Sequence, residues 1–354
     1  MTQQSPAPRN ITFGIDTFGD TAVDLEGNPV PHAQTLRNVI DQAVLAEQVG
    51  VDFIGLGEHH RADYSISAPD IMMTAILART ERLKVTSAVT VLSSDDPVRI
   101  FERWSTMNAI SNNRAEITLG RGSFIESFPL FGFDLQDYEL LFNERLDLFR
   151  TILDADRAGK GVTWSGKTRS ALQDQHLYPA TEKGIQAWVA VGGSPESVIR
   201  AAKYRFPLML AIIGGAPSRF RPYVELYKRA NEQMGLPQLP IGVHSPGFIA
   251  ETDQEAYDLS VNNWLQLQNT LGQERGWAPA SARQFDHEVS HGSMYVGSPE
   301  TVAQRIADTI TTLDLDRFTL KYVSGPTPHE HLMRCIELYG TQVIPRVREI
   351  LAER

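Results

Sequence analysis

Val51-Asp52-Phe53-Ile54-Gly55-Leu56-Gly57-Glu58-His59-His60 is the stretch on which the fold turns. Its apolar half reads as a short buried strand, Asp52–Gly57, and its glycines invite comparison with the Gly-x-Gly-x-x-Gly turn of a doubly wound dinucleotide-binding sheet. The third glycine is missing. Glu58, His59 and His60 follow directly, where that turn needs bare backbone against a pyrophosphate. No Gly-x-x-x-x-Gly-Lys-Ser/Thr phosphate loop occurs elsewhere in the chain. Polar residues closing a strand are instead what a (β/α)8 barrel presents at its C-terminal mouth.

The pattern on either side agrees. Upstream, Ile11–Phe18 reads as a strand, and Leu36, Val39, Ile40, Ala43 and Val44 recur at helical spacing. Downstream come a helix over Asp70–Glu81 and a Val- and Thr-rich strand over Lys84–Leu92. Asp96 then caps a helix whose first residue is Pro97. Arg114–Leu119 and Tyr138–Leu153 continue the alternation. The second half repeats it through Gln186–Val191 with Ser194–Tyr204, Phe206–Ile213 with Pro217–Met234, and Ile241–Ala250 with Gln254–Gly272. Arg317–Val323 is followed by a last helix from Glu330 to Leu351, bent at Pro345. Eight β-then-α units without a composition break predict one domain over 1–354, a (β/α)8 TIM barrel rather than two Rossmann halves. Ala155–Ile185 and Gly276–Val296 are too long for plain connections and predict insertions at the mouth.

Composition narrows the function. The chain has 354 residues, 42% of them hydrophobic, with 43 acidic against 33 basic residues and a formal net charge of −10. The acidic surplus argues against a nucleic-acid partner. The lone Cys335 excludes an intramolecular disulfide framework and any multi-thiolate zinc site. Met1 to Asn10 has no apolar signal core, and no run reaches eighteen uninterrupted apolar residues, so the expectation is a soluble cytoplasmic protein with no membrane partner.

Four clusters fall at expected strand ends. In Glu58-His59-His60 the adjacent imidazoles face opposite ways, which suits a general base or hydrogen-bond donor better than a shared metal, or a purely structural histidine. Gly120-Arg121-Gly122 offers a planar charged fork between two glycines that let a flat or phosphorylated ligand approach, or is an ordinary turn. Arg145 shares a helix face with Leu141, Phe142, Phe149 and Ile152, so its charge needs an anion, either a carboxylate of the chain or a ligand phosphate. Gly192-Gly193-Ser194-Pro195-Glu196-Ser197 runs from a strand straight into a helix and forms an anion site with two hydroxyls. Gly297-Ser298-Pro299-Glu300-Thr301 repeats that design and competes with it. His287 and His291, four apart, lack a third metal ligand, and Cys335 reads as inert core.

Together these residues resemble the bacterial luciferase-like family of flavin-dependent monooxygenases and oxidoreductases, over nearly the whole chain from Phe13 to Arg348. The resemblance rests on Glu58-His59-His60, Ser87-Ala88-Val89-Thr90-Val91-Leu92 with Asp96-Pro97-Val98-Arg99, Gly120-Arg121-Gly122, Asn143-x-Arg145, Trp164-x-Gly166 and Val191-Gly192-Gly193-Ser194-Pro195-Glu196. It implies FMN at the barrel mouth. Arg121 and Arg145 match phosphate-binding arginines, and Gly193, Ser194 and Ser197 match the segment that wraps the phosphate. Glu58, Gly122 and Gly192 complete the implied cofactor site. His59 matches a histidine near the flavin ring, and Ala88–Val89 the place of a non-prolyl cis peptide. Gly120 stands where bacterial luciferase carries a reactive cysteine, so light emission is not implied. The loops at Ser123–Phe133 and Ala155–Ile185 differ enough that no substrate transfers.

The function this implies is oxidation of a small-molecule substrate by reduced FMN and O2, the flavin being supplied by a separate flavin reductase, in a homodimer. The alternatives are hydride transfer with the deazaflavin F420 on the same fold, and a flavin-binding protein without catalysis.

Overall fold

The computed structural model describes residues 11–122 and 124–354. The strands follow in chain order: β1 Thr12–Thr17, β2 Phe53–Leu56, β3 Lys84–Ser87, β4 Thr90–Val91, β5 Glu116–Gly120, β6 Val162–Trp164, β7 Leu172–Gln175, β8 Gln186–Val191, β9 Leu208–Ala211, β10 Ile241–Ile249, β11 Tyr295–Gly297 and β12 Arg317–Lys321. Parallel pairing runs β3-β2-β1-β12-β10-β9-β8-β5-β4, with β11 beside β10. The strand expected over Lys84–Leu92 is interrupted: β3 pairs with β2, while β4 pairs with β5. Val85 also bridges Ala115, which closes the ring. The architecture is the expected (β/α)8 barrel, with helices over its outer face.

Local chemistry sets the helix starts. The Asp96 carboxylate accepts from the amides of Val98 (2.9 Å) and Arg99 (3.4 Å), so three of the orphan groups at that terminus are accounted for once Pro97 is counted. The helix Pro97–Ser111 then turns Ile100, Phe101 and Trp104 inward, and the Trp104 indole donates to the Glu116 carbonyl of β5 at 2.7 Å. The last helix begins at His329, and a wider turn at Tyr339–Val343 precedes Pro345, which opens the segment Ile344–Glu353. That turn takes up the break a proline forces on a helix.

The long connections are built, not loose. Within Ala155–Ile185, β6 and β7 form an antiparallel hairpin. Trp164 donates to Asp147 at 2.8 Å, and the Glu144 carboxylate accepts from the backbone of Lys167 and Thr168. Gly276–Val296 holds the helix Ala282–Ser290, opened by a Ser281–Gln284 capping box. Beyond Ser123, which lies outside the described residues with Met1–Asn10, the mouth loop carries a short helix, Ser127–Leu130. Among the described residues no helix is long and apolar enough to cross a membrane.

Barrel interiors are packed, and this one is sealed at the bottom by charge. Glu116 of β5 pairs with Arg317 of β12 at 2.7 Å and with Lys84 of β3 at 2.8 Å. The Arg317 guanidinium lies over the Phe53 ring (3.8 Å) and near that of Trp188 (4.7 Å).

Candidate active site

At the opposite end the strand tips surround one peptide. Ala88–Val89, between β3 and β4, is cis. The positions facing it cannot hold a side chain: a methyl on Gly120 would lie 2.4 Å from Val89, one on Gly57 2.5 Å from Phe18, and one on Gly55 2.9 Å from Asp16 and 3.2 Å from Ala88. Gly55 in β2, Gly57 just beyond it and Gly120 closing β5 thus let Ala88, Val89, Phe18 and Asp16 pack closely into one patch.

His59 is buried beside that patch, its ring 4.9 Å from Phe18, 4.4 Å from Tyr64 and 5.1 Å from Phe124. Burial above all, then the charges of Lys321, Arg61 and His60, push its imidazole down to about 3. His59 is therefore neutral near pH 7, and its surroundings favour hydrogen bonding over the proton acceptance its sequence context also allowed. His60, in the segment that follows β2, pairs with Glu58 at 3.1 Å and packs on the Phe131 ring at 4.9 Å. The other Glu58 oxygen lies 3.5 Å from the Val91 amide, tying the end of β2 to β4.

Arg121 follows β5 and donates to Glu139, whose second oxygen accepts from Arg200 at 3.1 Å. Gly122 turns the chain at φ +74°, a conformation that side chains disfavour. Arg145 is buried as its helix face predicts, but its partners are the carbonyls of Ser93 and Leu92, with the Phe133 ring at 4.5 Å. Burial lowers its pKa, while Asp96 and Asp95 act against that from a distance. The chain thus meets this charge with carbonyl oxygens rather than a directly bonded carboxylate. Among the described residues Arg121 and Arg145 share no partner. The arginine that meets Arg121 is Arg200, which the sequence reading missed. Its signal was spacing, three residues beyond Ser197 on one helix.

The two Gly-Ser-Pro helix entries differ. At the later one the Ser298 amide (2.7 Å) and Thr301 hydroxyl (3.0 Å) are already bonded to the Asp253 carboxylate. At the earlier one the hydroxyls of Ser194 and Ser197 bond, among the described residues, to each other at 2.9 Å, and the Ser197 amide donates to the Ser194 hydroxyl at 3.3 Å. Gly193 stands at φ +104°, and open space surrounds the place of a Gly192 side chain.

The mouth also holds polar groups that sequence reading passed over. Asp16 of β1, 1% exposed, has Oδ2 2.5 Å from Nδ1 of His244 on β10. Lys321 lies 3.4 Å from Asp20 and above the Phe18 ring. A carboxylate inside the apolar run Ile11–Phe18 was the available signal. His287 and His291, considered above for a metal, stack on each other at 5.3 Å. Among the described residues no three His, Cys, Asp or Glu side chains cluster as metal ligands would.

The model of the luciferase-like monooxygenases matches residues 11–315. The chain belongs to the luciferase-like monooxygenase family. This family member is similar in structure to monooxygenase RslO1 from Streptomyces bottropensis, with a TM-score of 0.80 and 22% identity over 95% of this chain and 99% of that one. It is also similar to the oxygenating constituent of 3,6-diketocamphane monooxygenase from Pseudomonas putida, solved in complex with FMN (TM-score 0.76, 16% identity, 96% and 99% covered). In sequence it is similar to the F420-dependent glucose-6-phosphate dehydrogenase of Amycolatopsis mediterranei, 23% identical over 83% of this chain and 82% of that protein. Flavin monooxygenases and F420-dependent oxidoreductases thus both stand among the neighbours of this luciferase-like enzyme.

Proposed function

We propose that the protein is an FMN-dependent monooxygenase that oxidises a small organic substrate with O2, its reduced flavin coming from a separate reductase. The observation that carries this reading is the helix entry at Ser194: amides and two hydroxyls that meet no carboxylate among the described residues, on the helix that also bears Arg200. An anionic phosphate fits that donor set. Gly192 and Gly193 leave room for it, and Arg121 and Arg200, now sharing Glu139, supply the charge. The close-packed patch of Ala88 and Val89 is where a flat ring would rest, with Glu58 tied to Val91 at its side and Arg145 fixing the Leu92–Ser94 turn behind it. Bound reduced FMN supplies the electrons that activate O2. The chain's own part is to hold the phosphate through Arg121, Arg200, Ser194 and Ser197, to bury the ring against Ala88–Val89, and to keep water out with Phe18, Tyr64 and Phe124. Neutral His59 donates or accepts one hydrogen bond at the ring's edge.

The Pseudomonas neighbour is named an oxygenating constituent, which supports a two-component system with a reductase partner. Helices Pro69–Arg79 and Pro97–Ser111 line a groove with Ile71 and Ile110 exposed, a face suited to a second copy in a homodimer. Hydride transfer with F420 is the second reading, supported by the Amycolatopsis relative.

The protein carries a net charge of −10, so its overall field repels an anionic cofactor and local arginines must overcome it. Arg121→Ala and Arg200→Ala are each expected to weaken FMN binding at least tenfold, more at low salt, and to leave riboflavin binding unchanged, as read by flavin fluorescence titration. The deciding test is anaerobic titration with reduced FMN, followed by mixing with O2 under a spectrophotometer. A transient absorbance distinct from free oxidised flavin supports oxygen activation. Oxidation indistinguishable from free FMN, or no binding, with tight binding of F420, transfers the assignment to the second reading.

A further inference from the structure

We infer that Asp16 and His244 form the proton-accepting pair of the barrel mouth and that the substrate they receive is a phenol or enol. His244 Nε2 takes the hydroxyl proton, and Asp16 is the positioning residue. The inference rests on the oxygenating reading above and adds a substrate class to it.

The geometry begins with Asp16. Its carboxylate is 1% exposed, among the groups least expected in a barrel interior without a function or an ion partner. One oxygen, Oδ2, lies 2.5 Å from His244 Nδ1, and the other, Oδ1, is buried with no hydrogen-bond partner among the described residues. With Asp16 as the acceptor, Nδ1 is the donor, and in that tautomer Nε2 holds the ring's free lone pair. Among the described residues no protein group bonds to Nε2. The imidazole is held flat by Phe18, which stacks on it at 6.0 Å and 9° and continues to His59 and Tyr64. A base fixed in tautomer and plane by a buried carboxylate is the arrangement that general-base catalysis requires. Asp16 also packs beside Ala88, since a methyl on Gly55 would be 2.9 Å from the one and 3.2 Å from the other.

The walls indicate what sits there. Phe18, Tyr64 and Phe124, with the neutral ring of His59, present aromatic faces and edges, which suit a flat π system. The charged groups around these rings are Lys321 with Asp20 on the β12 and β1 side, and Arg61 with Asp63 and Glu274 beyond His59; Tyr322 is buried near Asp16 and Asp20. Each of these cations is already met by carboxylates of the chain, so the proton taken from a substrate hydroxyl has its counter-charge in Asp16. The step is a simple proton transfer. The substrate O–H breaks, its electron pair stays on oxygen as phenolate or enolate, and the proton forms an N–H bond at Nε2, giving an imidazolium that Asp16 balances. The resulting electron-rich carbon is what an electrophilic oxygen donor attacks.

The test uses 4-nitrophenol, whose phenolate absorbs apart from its neutral form, with the full-length protein and no flavin present. Wild type is expected to bind the probe and to lower its pKa by about one unit, a tenfold fall in its proton affinity. His244→Gln should abolish that shift and Asp16→Asn should reduce it, with circular dichroism unchanged in both. A probe that fails to bind, or ionises in the His244→Gln site as in wild type, overturns the inference. FMN binding is measured separately: no FMN binding beside a normal nitrophenol shift removes the oxygenase reading and leaves the proton-accepting pair standing.

Discussion

His59 shows how far its surroundings move one side chain. Buried among rings and facing Lys321 and Arg61, it keeps a folded-state pKa of about 3 against an ordinary value of 6.5. Below pH 6.5 the unfolded chain binds a proton at this position that the folded chain refuses. Stability is therefore full above pH 6.5 and falls as pH drops towards 3, by about 1.4 kcal/mol per pH unit for this one group. His59→Gln removes that dependence. Urea denaturation of both proteins between pH 7 and 4 should show the wild type losing stability more steeply, and parallel slopes would mean that His59 is accessible to protons in the fold. Cys335 fits the same logic: burial pushes its thiol up to about 12, with the Ile249 amide donating to its sulfur at 3.3 Å. An inert core cysteine was the sequence expectation.

At the scale of elements, the two Gly-Ser-Pro entries read alike in sequence and differ by one residue elsewhere. Asp253 lies 45 residues from Ser298 along the chain, at the head of its own helix, and closes that terminus. Burial works against its charge, yet the bonds from Ser298 and Thr301 keep its carboxyl below the usual range. Asp253→Ala should cost about 1–2 kcal/mol in chemical denaturation, with Asp253→Asn losing less; an unchanged midpoint would show that the helix Pro299–Leu313 caps itself. The comparison also explains what sequence could reveal. Strand and helix periodicity, Asp96-Pro97 and Ser194-Pro195 act within a few residues, so they were legible. The Arg200–Glu139 contact, the Asp16–His244 pair and the Asp253 cap depend on which strands the ring brings together, and no local pattern encodes that. The break between β3 and β4 was hidden for the same reason, since Ser87-Ala88-Val89-Thr90 reads as uninterrupted strand. Arg145 was legible as a buried charge, but the nature of its partner was not.

For the whole molecule, the floor of the barrel is where strands distant in the chain meet through charge. Burial opposes ionisation of Glu116, yet Arg317 and Lys84 hold its carboxyl below the usual range. One carboxylate thus ties β5 to β12 and β3 across the interior. Glu116→Gln leaves Arg317 charged between Phe53 and Trp188 without an anion, and should lower stability by about 3–5 kcal/mol in urea titration. A cost under about 1 kcal/mol would show that the aromatic rings alone support the guanidinium.

That floor has a consequence for traffic. A tube stoppered at one end has a single door, so whatever the barrel receives must arrive and depart past the strand tips around Ala88–Val89.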